Sequence, residues 1–141
     1  MFIPLSQVLV FAIIMSSVVF ETSLTESEKN TMRQRVRSGC QLSARGHLVV
    51  EGVEKDAYSK VRIYLRGQSY SVNRAKACYY VDNDFVPLPS NLQLSHLCHV
   101  KSCCHPDHIT MESAATNNSR KKCFEAKMCL GHSDNVKDCV F

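Results

Sequence analysis

The sequence predicts an α+β fold of small antiparallel sheets and few short helices. Val61, Ile63 and Leu65 alternate with Lys60, Arg62, Tyr64 and Arg66, which is the period of two that marks a half-buried strand. Thr25-Glu26-Ser27-Glu28 and Ser113 are helix starts, each offering a side-chain oxygen to the unpaired backbone N–H groups of a first turn. Eight cysteines and six histidines within 141 residues supply a means of holding such small elements together that a moderate core would not. At this length one domain is expected.

All seventeen Lys and Arg lie between Lys29 and Lys137, and from Lys29 onward they face only ten acids; Glu21, Glu26 and Glu28 precede them. That balance suits an anionic partner or a solvated basic surface. Residues 7–20 are almost uninterrupted apolar sequence. The run is shorter than the roughly 20 residues of a spanning helix, so no stable membrane span is expected, and it has the length of a signal-peptide core. No Lys or Arg precedes it, and no small-x-small cleavage site follows. The chain therefore divides into a hydrophobic leader and linker at 1–28 and a domain at 29–141. Localisation is secreted if residues 1–22 act as a signal peptide, and otherwise nuclear.

Taken in order, Glu21 to Arg37 reads as a short helix or linker, and Cys40 follows a Ser38-Gly39 turn as a cysteine that needs a distant partner. His47–Val53 and Ser59–Gly67 read as strands. The second has a basic face that fits either a nucleic-acid groove or solvent. Val72–Val81, with Ser71 as cap, is expected to be a helix in which Cys78 is a small core residue. Asp82-Asn83-Asp84 ends it, and Pro87-Leu88-Pro89 makes a rigid turn.

The densest chemistry lies in Ser95–His108, where four histidines and three cysteines share fourteen residues. Leu92, Leu94, His96 and Cys98 alternate along an expected strand. A loop over Lys101–Pro106, a strand over Ile109–Glu112 and a helix over Ala114–Lys122 complete a β-loop-β-α unit. A disulfide framework has no use for interleaved imidazoles, whereas tetrahedral zinc accepts thiolate and imidazole together. Cys98, Cys103 and His108 are each five residues apart, with Cys40 as a distant fourth ligand; Cys103 is preferred to its neighbour Cys104 on spacing, and Cys104 is left open. Cys123, Cys129, His132 and Cys139 form a second Cys3His set in a tail poor in apolar residues, where zinc would supply folding free energy.

The ordering Ser95-His96-Leu97-Cys98-His99, Cys103, His105-Pro106-x-His108, Asn117 and a Cys/His tail resembles the His-Cys box homing endonucleases, a zinc-bearing branch of the His-Me finger (ββα-metal) nucleases. The resemblance covers about Cys40 to Cys139 and is most specific from His96 to Cys123. It implies a ββα-metal core and a metal-dependent DNA endonuclease, in which His96 is the general base and Asn117 holds one catalytic Mg2+. Asn118 leaves that ligand open by one position. It further implies a strand arginine near the cut phosphate, for which Arg62 is the candidate and Lys60 the second. Two structural Zn2+ ions and double-stranded DNA complete the implied set, with a homodimer left open. His99 and His105 are left as loop or surface residues, and Arg120, Lys121 and Lys122 as phosphate contacts or a charged helix end. Two other classes remain: a noncatalytic zinc-stabilised DNA-binding module, and a small secreted disulfide-rich protein.

Overall fold

Thr25 closes a capping box with Glu28, its hydroxyl accepting from the Glu28 N–H while the Glu28 carboxylate accepts from the Thr25 N–H. Helix α1 (Glu26–Val36) starts there, as the sequence predicts, and buries Met32 and Val36. In a computed structural model describing residues 19, 20, 23–133 and 135–141, the remaining elements follow as β1 (Cys40–Leu42), β2 (Leu48–Val50), β3 (Lys60–Leu65), β4 (Gln68–Asn73), α2 (Arg74–Asp82), β5 (Gln93–His96), β6 (Ile109–Glu112) and α3 (Ala114–Ala126). Most of the predicted leader lies outside the described residues, of which no helix is long and apolar enough to cross a membrane. Val19 and Phe20 are described, and both are buried in the core.

The fold is α+β, and the described residues form three antiparallel two-stranded sheets, β1–β2, β3–β4 and β5–β6. In β3, Val61, Ile63 and Leu65 are buried while Lys60, Arg62 and Tyr64 are exposed, the alternation predicted for that strand. The partner strand β4 corrects the expectation of a helix from Val72. Arg66 and Gly67, at φ of 50° and 78°, form a two-residue turn with both central residues left-handed, the geometry that matches strand twist in a tight hairpin. The polar run Gln68-Ser69 hides β4 from a hydrophobic-pattern reading. The helix begins only at Arg74, with Asn73 as its cap in place of Ser71.

An isolated two-stranded hairpin is marginal in water. Here β3–β4 is covered by α1 and α2 across a core of Met32, Val36, Ile63, Val72, Ala77, Cys78 and Tyr80. Cys78 is thus a core residue, as expected. Arg74 is buried, and its guanidinium donates to Ser59 Oγ (3.0 Å) and to the carbonyls of Val36 (2.8 Å), Ser38 (3.3 Å) and Lys60 (3.3 Å). These bonds tie the end of α1 to the hairpin and satisfy a charge that would otherwise be costly to bury. Arg37 and Asp82 form a bidentate pair between α1 and α2.

Ile63, 1% exposed at the centre of this core, should cost about 2–5 kcal/mol of stability when cut to Ala, read from urea unfolding at saturating zinc. Tyr64→Ala on the opposite face of β3 should cost less than half as much.

Candidate functional site

The β-loop-β-α unit forms where the sequence places it. β5 and β6 pair with Gln93 opposite Glu112 and His96 opposite Ile109, and Ser113 caps α3 by accepting from the Thr116 N–H (3.1 Å). One detail differs: the strand ends at His96, so Cys98 belongs to the loop rather than to the alternating face. That loop is held by backbone bonds from Leu97 N–H to His108 O (2.7 Å), Lys101 N–H to Lys55 O (2.9 Å) and Cys104 N–H to Leu48 O (2.8 Å).

The loop brings Cys98, Cys103 and His108 together with His47, their ligand atoms all within 4.8 Å of one another. The expected fourth ligand, Cys40, is not in this group. The ladder explains the exchange: His47 directly precedes Leu48, to which the loop is bonded, whereas Cys40 pairs with Val50, about 10 Å along the strand from His47 at about 3.3 Å per residue. Cys40 instead faces Cys104, which interacts in turn with Cys78; burial pushes the Cys40 thiol up. Of the adjacent pair, Cys103 and not Cys104 falls within the convergent group. Sequence reasoning missed His47 because a lone histidine ahead of a strand has no spacing signal.

The first set fits zinc. Tetrahedral zinc, about 2.3 Å from sulfur and about 2.0 Å from nitrogen, sets sulfur and nitrogen about 3.5 Å apart, and Cys103 Sγ lies 3.6 Å from His108 Nδ1. The Cys103 thiolate is favoured by the Cys98 thiol beside it and by the His105 N–H pointing at its sulfur (3.4 Å). His47 Nδ1 is buried without a hydrogen-bond partner among the described residues, a deficit that ligation through that nitrogen would remove.

The second set, Cys123, Cys129, His132 and Cys139, assembles in full as predicted, within the same 4.8 Å limit. His132 Nε2 lies 3.7 Å from Cys123 Sγ and 3.5 Å from Cys139 Sγ, again tetrahedral edges. Its Nδ1 is 3.3 Å from Ser119 Oγ, so a proton on Nδ1 leaves the Nε2 lone pair for the metal. Backbone N–H groups of Leu130 and Cys139 point at Cys123 Sγ and Cys129 Sγ (3.4 Å each). Arg120 stands behind this set at 2% exposure, paired bidentately with Glu112 (2.7 and 2.8 Å) and donating to Cys139 Sγ (3.4 Å) and Lys137 O (2.9 Å). It is thus a buried strut between β6, α3 and the cysteine cluster, and it also lines the cleft that holds His96 and Asn117.

His96 and Asn117 line one cleft of about 520 Å³, with Tyr58, His99, Lys101 and Lys121 among its walls. His96 Nε2 is 3.1 Å from the Cys103 carbonyl oxygen. A carbonyl only accepts, so Nε2 carries the proton and Nδ1 keeps the basic lone pair. Burial lowers the His96 pKa, which favours that neutral form. On α3, Asn117 Oδ1 accepts from Ser95 Oγ (2.9 Å) and Nδ2 donates to Gln93 Oε1 (3.1 Å), while Asn118 is exposed. Arg62 and Lys60 do not line the cleft; they stand on the exposed face of β3. The cations on its wall are Arg120, Lys121 and Lys101, whose Nζ lies 5.5 Å from the Tyr58 ring centre and which no strand pattern could reveal.

Two measurements check these assignments. Elemental analysis should find two zincs per chain in Cys40→Ala and one in His47→Ala. Glu112→Ala leaves the Arg120 charge buried and unpaired, so it should cost about 3–5 kcal/mol in denaturant unfolding, and adding Arg120→Met should recover part of that loss.

Comparison with curated proteins and with solved structures finds no match. The family model described as the zinc-binding loop region of homing endonuclease matches residues 24–140, a span that takes in both Cys/His sets and the cleft between β5 and α3, and the chain belongs to that family.

Proposed function

We propose that this chain is a metal-dependent DNA endonuclease that cuts a phosphodiester by direct hydrolysis, with His96 as general base. The observation that carries the proposal is the His96 imidazole, held by the Cys103 carbonyl with Nδ1 basic, on the wall of a cleft that also carries Asn117 and two lysines. A zinc-binding homing-endonuclease family supports a nuclease or DNA-associated role, and an excess of basic residues suits a polyanion.

In the proposed reaction, His96 Nδ1 takes a proton from the water attacking phosphorus, and the bond to the leaving oxygen breaks without a covalent intermediate. Asn117 Oδ1 gives one lone pair to Ser95 and retains a second for a divalent ion. Mg2+ suits such a site because it binds through few protein oxygens and keeps several waters. When bound, it supplies charge stabilisation at the non-bridging and leaving oxygens. Lys101 and Lys121 attract the phosphate to the cleft. Lys60 and Arg62, on the outer face of β3, serve as backbone contacts along the duplex rather than as groups at the cut bond. The two zinc sets, each with four protein ligands, leave no open coordination position and act structurally.

Plasmid nicking with Mg2+ tests this reading. His96→Ala should lower the cleavage rate by about 10²–10⁴-fold with DNA binding retained. Asn117→Asp, which keeps an oxygen ligand, should retain more activity than Asn117→Ala. Salt-sensitive binding by the zinc-loaded wild type with no nicking would instead identify a noncatalytic DNA-binding module.

A further inference from the structure

A second cleft, of about 770 Å³, adjoins the first and shares Asp56, His99 and Phe124 with it. It is lined in addition by Arg45, Lys55 and Phe141, and it borders the first Cys/His set at His47 and Cys98. His99 adopts a left-handed backbone (φ 59°), and its ring lies 5.3 Å from Phe124 and 5.2 Å from Phe141, with interplanar angles of 37° and 32°. Although each phenylalanine packs against the imidazole, Phe124 remains 60% and Phe141 64% exposed. Two aromatic rings are therefore left open to solvent beside two cations, in a trough that continues from the His96 cleft. His99 Nε2 is buried in the same wall with no hydrogen-bond partner among the described residues.

Open aromatic faces next to basic side chains suit an unpaired nucleotide, whose base stacks on a ring while its phosphate meets a cation. A paired duplex would leave these faces unused, because its bases stack on each other. Asp56, at the join of the two clefts, is an acceptor suited to an exocyclic amino group. Continuity with the proposed catalytic cleft and the charge of Arg45 and Lys55 single out a nucleic-acid strand among possible occupants. We infer that the trough formed by His99, Phe124, Phe141, Arg45 and Lys55 binds an unpaired nucleotide of the DNA strand that enters the His96 cleft. The inference rests on the endonuclease reading only for which strand occupies the trough. The protein then binds duplexes with a single-stranded flank, or a frayed end left by cleavage, more tightly than blunt duplexes.

The test uses zinc-loaded full-length protein, without Mg2+, and a short duplex carrying a single-stranded overhang with 2-aminopurine at the junction. Stacking on an aromatic ring should quench the fluorophore, and the overhang probe should bind at least about five-fold more tightly than its blunt counterpart. Phe141→Ala and the milder Phe141→Leu should both abolish the quench and the preference, while Phe141→Tyr keeps them. Retention of two zincs confirms that each variant folds, and plasmid nicking with Mg2+, run in parallel, reads the endonuclease activity independently. Quenching unchanged in Phe141→Ala and Phe141→Leu overturns the inference. So does equal affinity for blunt and overhang probes, or a change in oligomeric state with overhang binding unaltered, which would make the face a contact between copies. Loss of quench in a chain that never nicks DNA supports the nucleotide site and refutes catalysis alone.

Discussion

The convergence of His47, Cys98, Cys103 and His108 is the constraint on which the rest of the molecule depends. Between β5 and β6 the chain runs through twelve residues with little regular structure, and a two-stranded sheet cannot by itself hold such a loop in one conformation. Four ligand atoms drawn to one point can. They join the residue before β2, the loop and the turn before β6, segments that touch the apolar core only through Leu48, Cys104 and Ile109. The Cys103 carbonyl, fixed by this cluster, accepts the proton of His96 Nε2. The same residue thus offers its sulfur to the metal set and its oxygen to the imidazole of the cleft.

Apolar packing and metal-type ligation divide the chain between them. α1, α2 and the β3–β4 hairpin share the main core, with Tyr80 stacked edge-on against both Phe20 and Phe85. Beyond α3 the apolar side chains Met128, Leu130 and Phe141 are exposed, and cohesion passes to Cys123, Cys129, His132 and Cys139. Arg120 connects the two regimes. Its pairing with Glu112 satisfies a buried charge, and its remaining donors reach His132 Nε2, Cys139 Sγ and the Lys137 carbonyl. A bidentate guanidinium suits this position because it serves a carboxylate and a thiolate at once, which a single ammonium would not.

The cleft inherits its electrostatics from this scaffold. His96 is kept neutral by burial, and Lys101 stands near enough to disfavour its cationic form further. Lys101 itself is placed by a backbone bond to Lys55 and by the Tyr58 ring. Asn117 is oriented by Ser95 and Gln93 on β5, and His96, itself on β5, by the Cys103 carbonyl of the loop. Such preorganisation limits the reorganisation a polar site must undergo on meeting an anionic substrate.

The α+β class, the Thr25 cap, the alternating faces of β3, the β6 strand, the Ser113 cap and the whole Cys123–Cys139 ligand set were legible in the sequence by itself. Each depends on interactions between residues close in the chain or on a periodicity that burial imposes locally. Tertiary structure decided the rest. Strand β4 was hidden because its polar residues gain a sheet partner only through the Arg66-Gly67 turn. His47 replaced Cys40 because ligand choice at long range follows the β1–β2 register, and no spacing rule encodes which end of a ladder a distant loop will meet. Arg62, prominent on a strand face, stands outside the cleft, while Lys101 and Tyr58 enter it from segments whose proximity appears only once the loop is closed. Asn117 was separated from Asn118 for the same reason: the two differ by one helical step, and only the packing of α3 against β5 determines which of them faces inward.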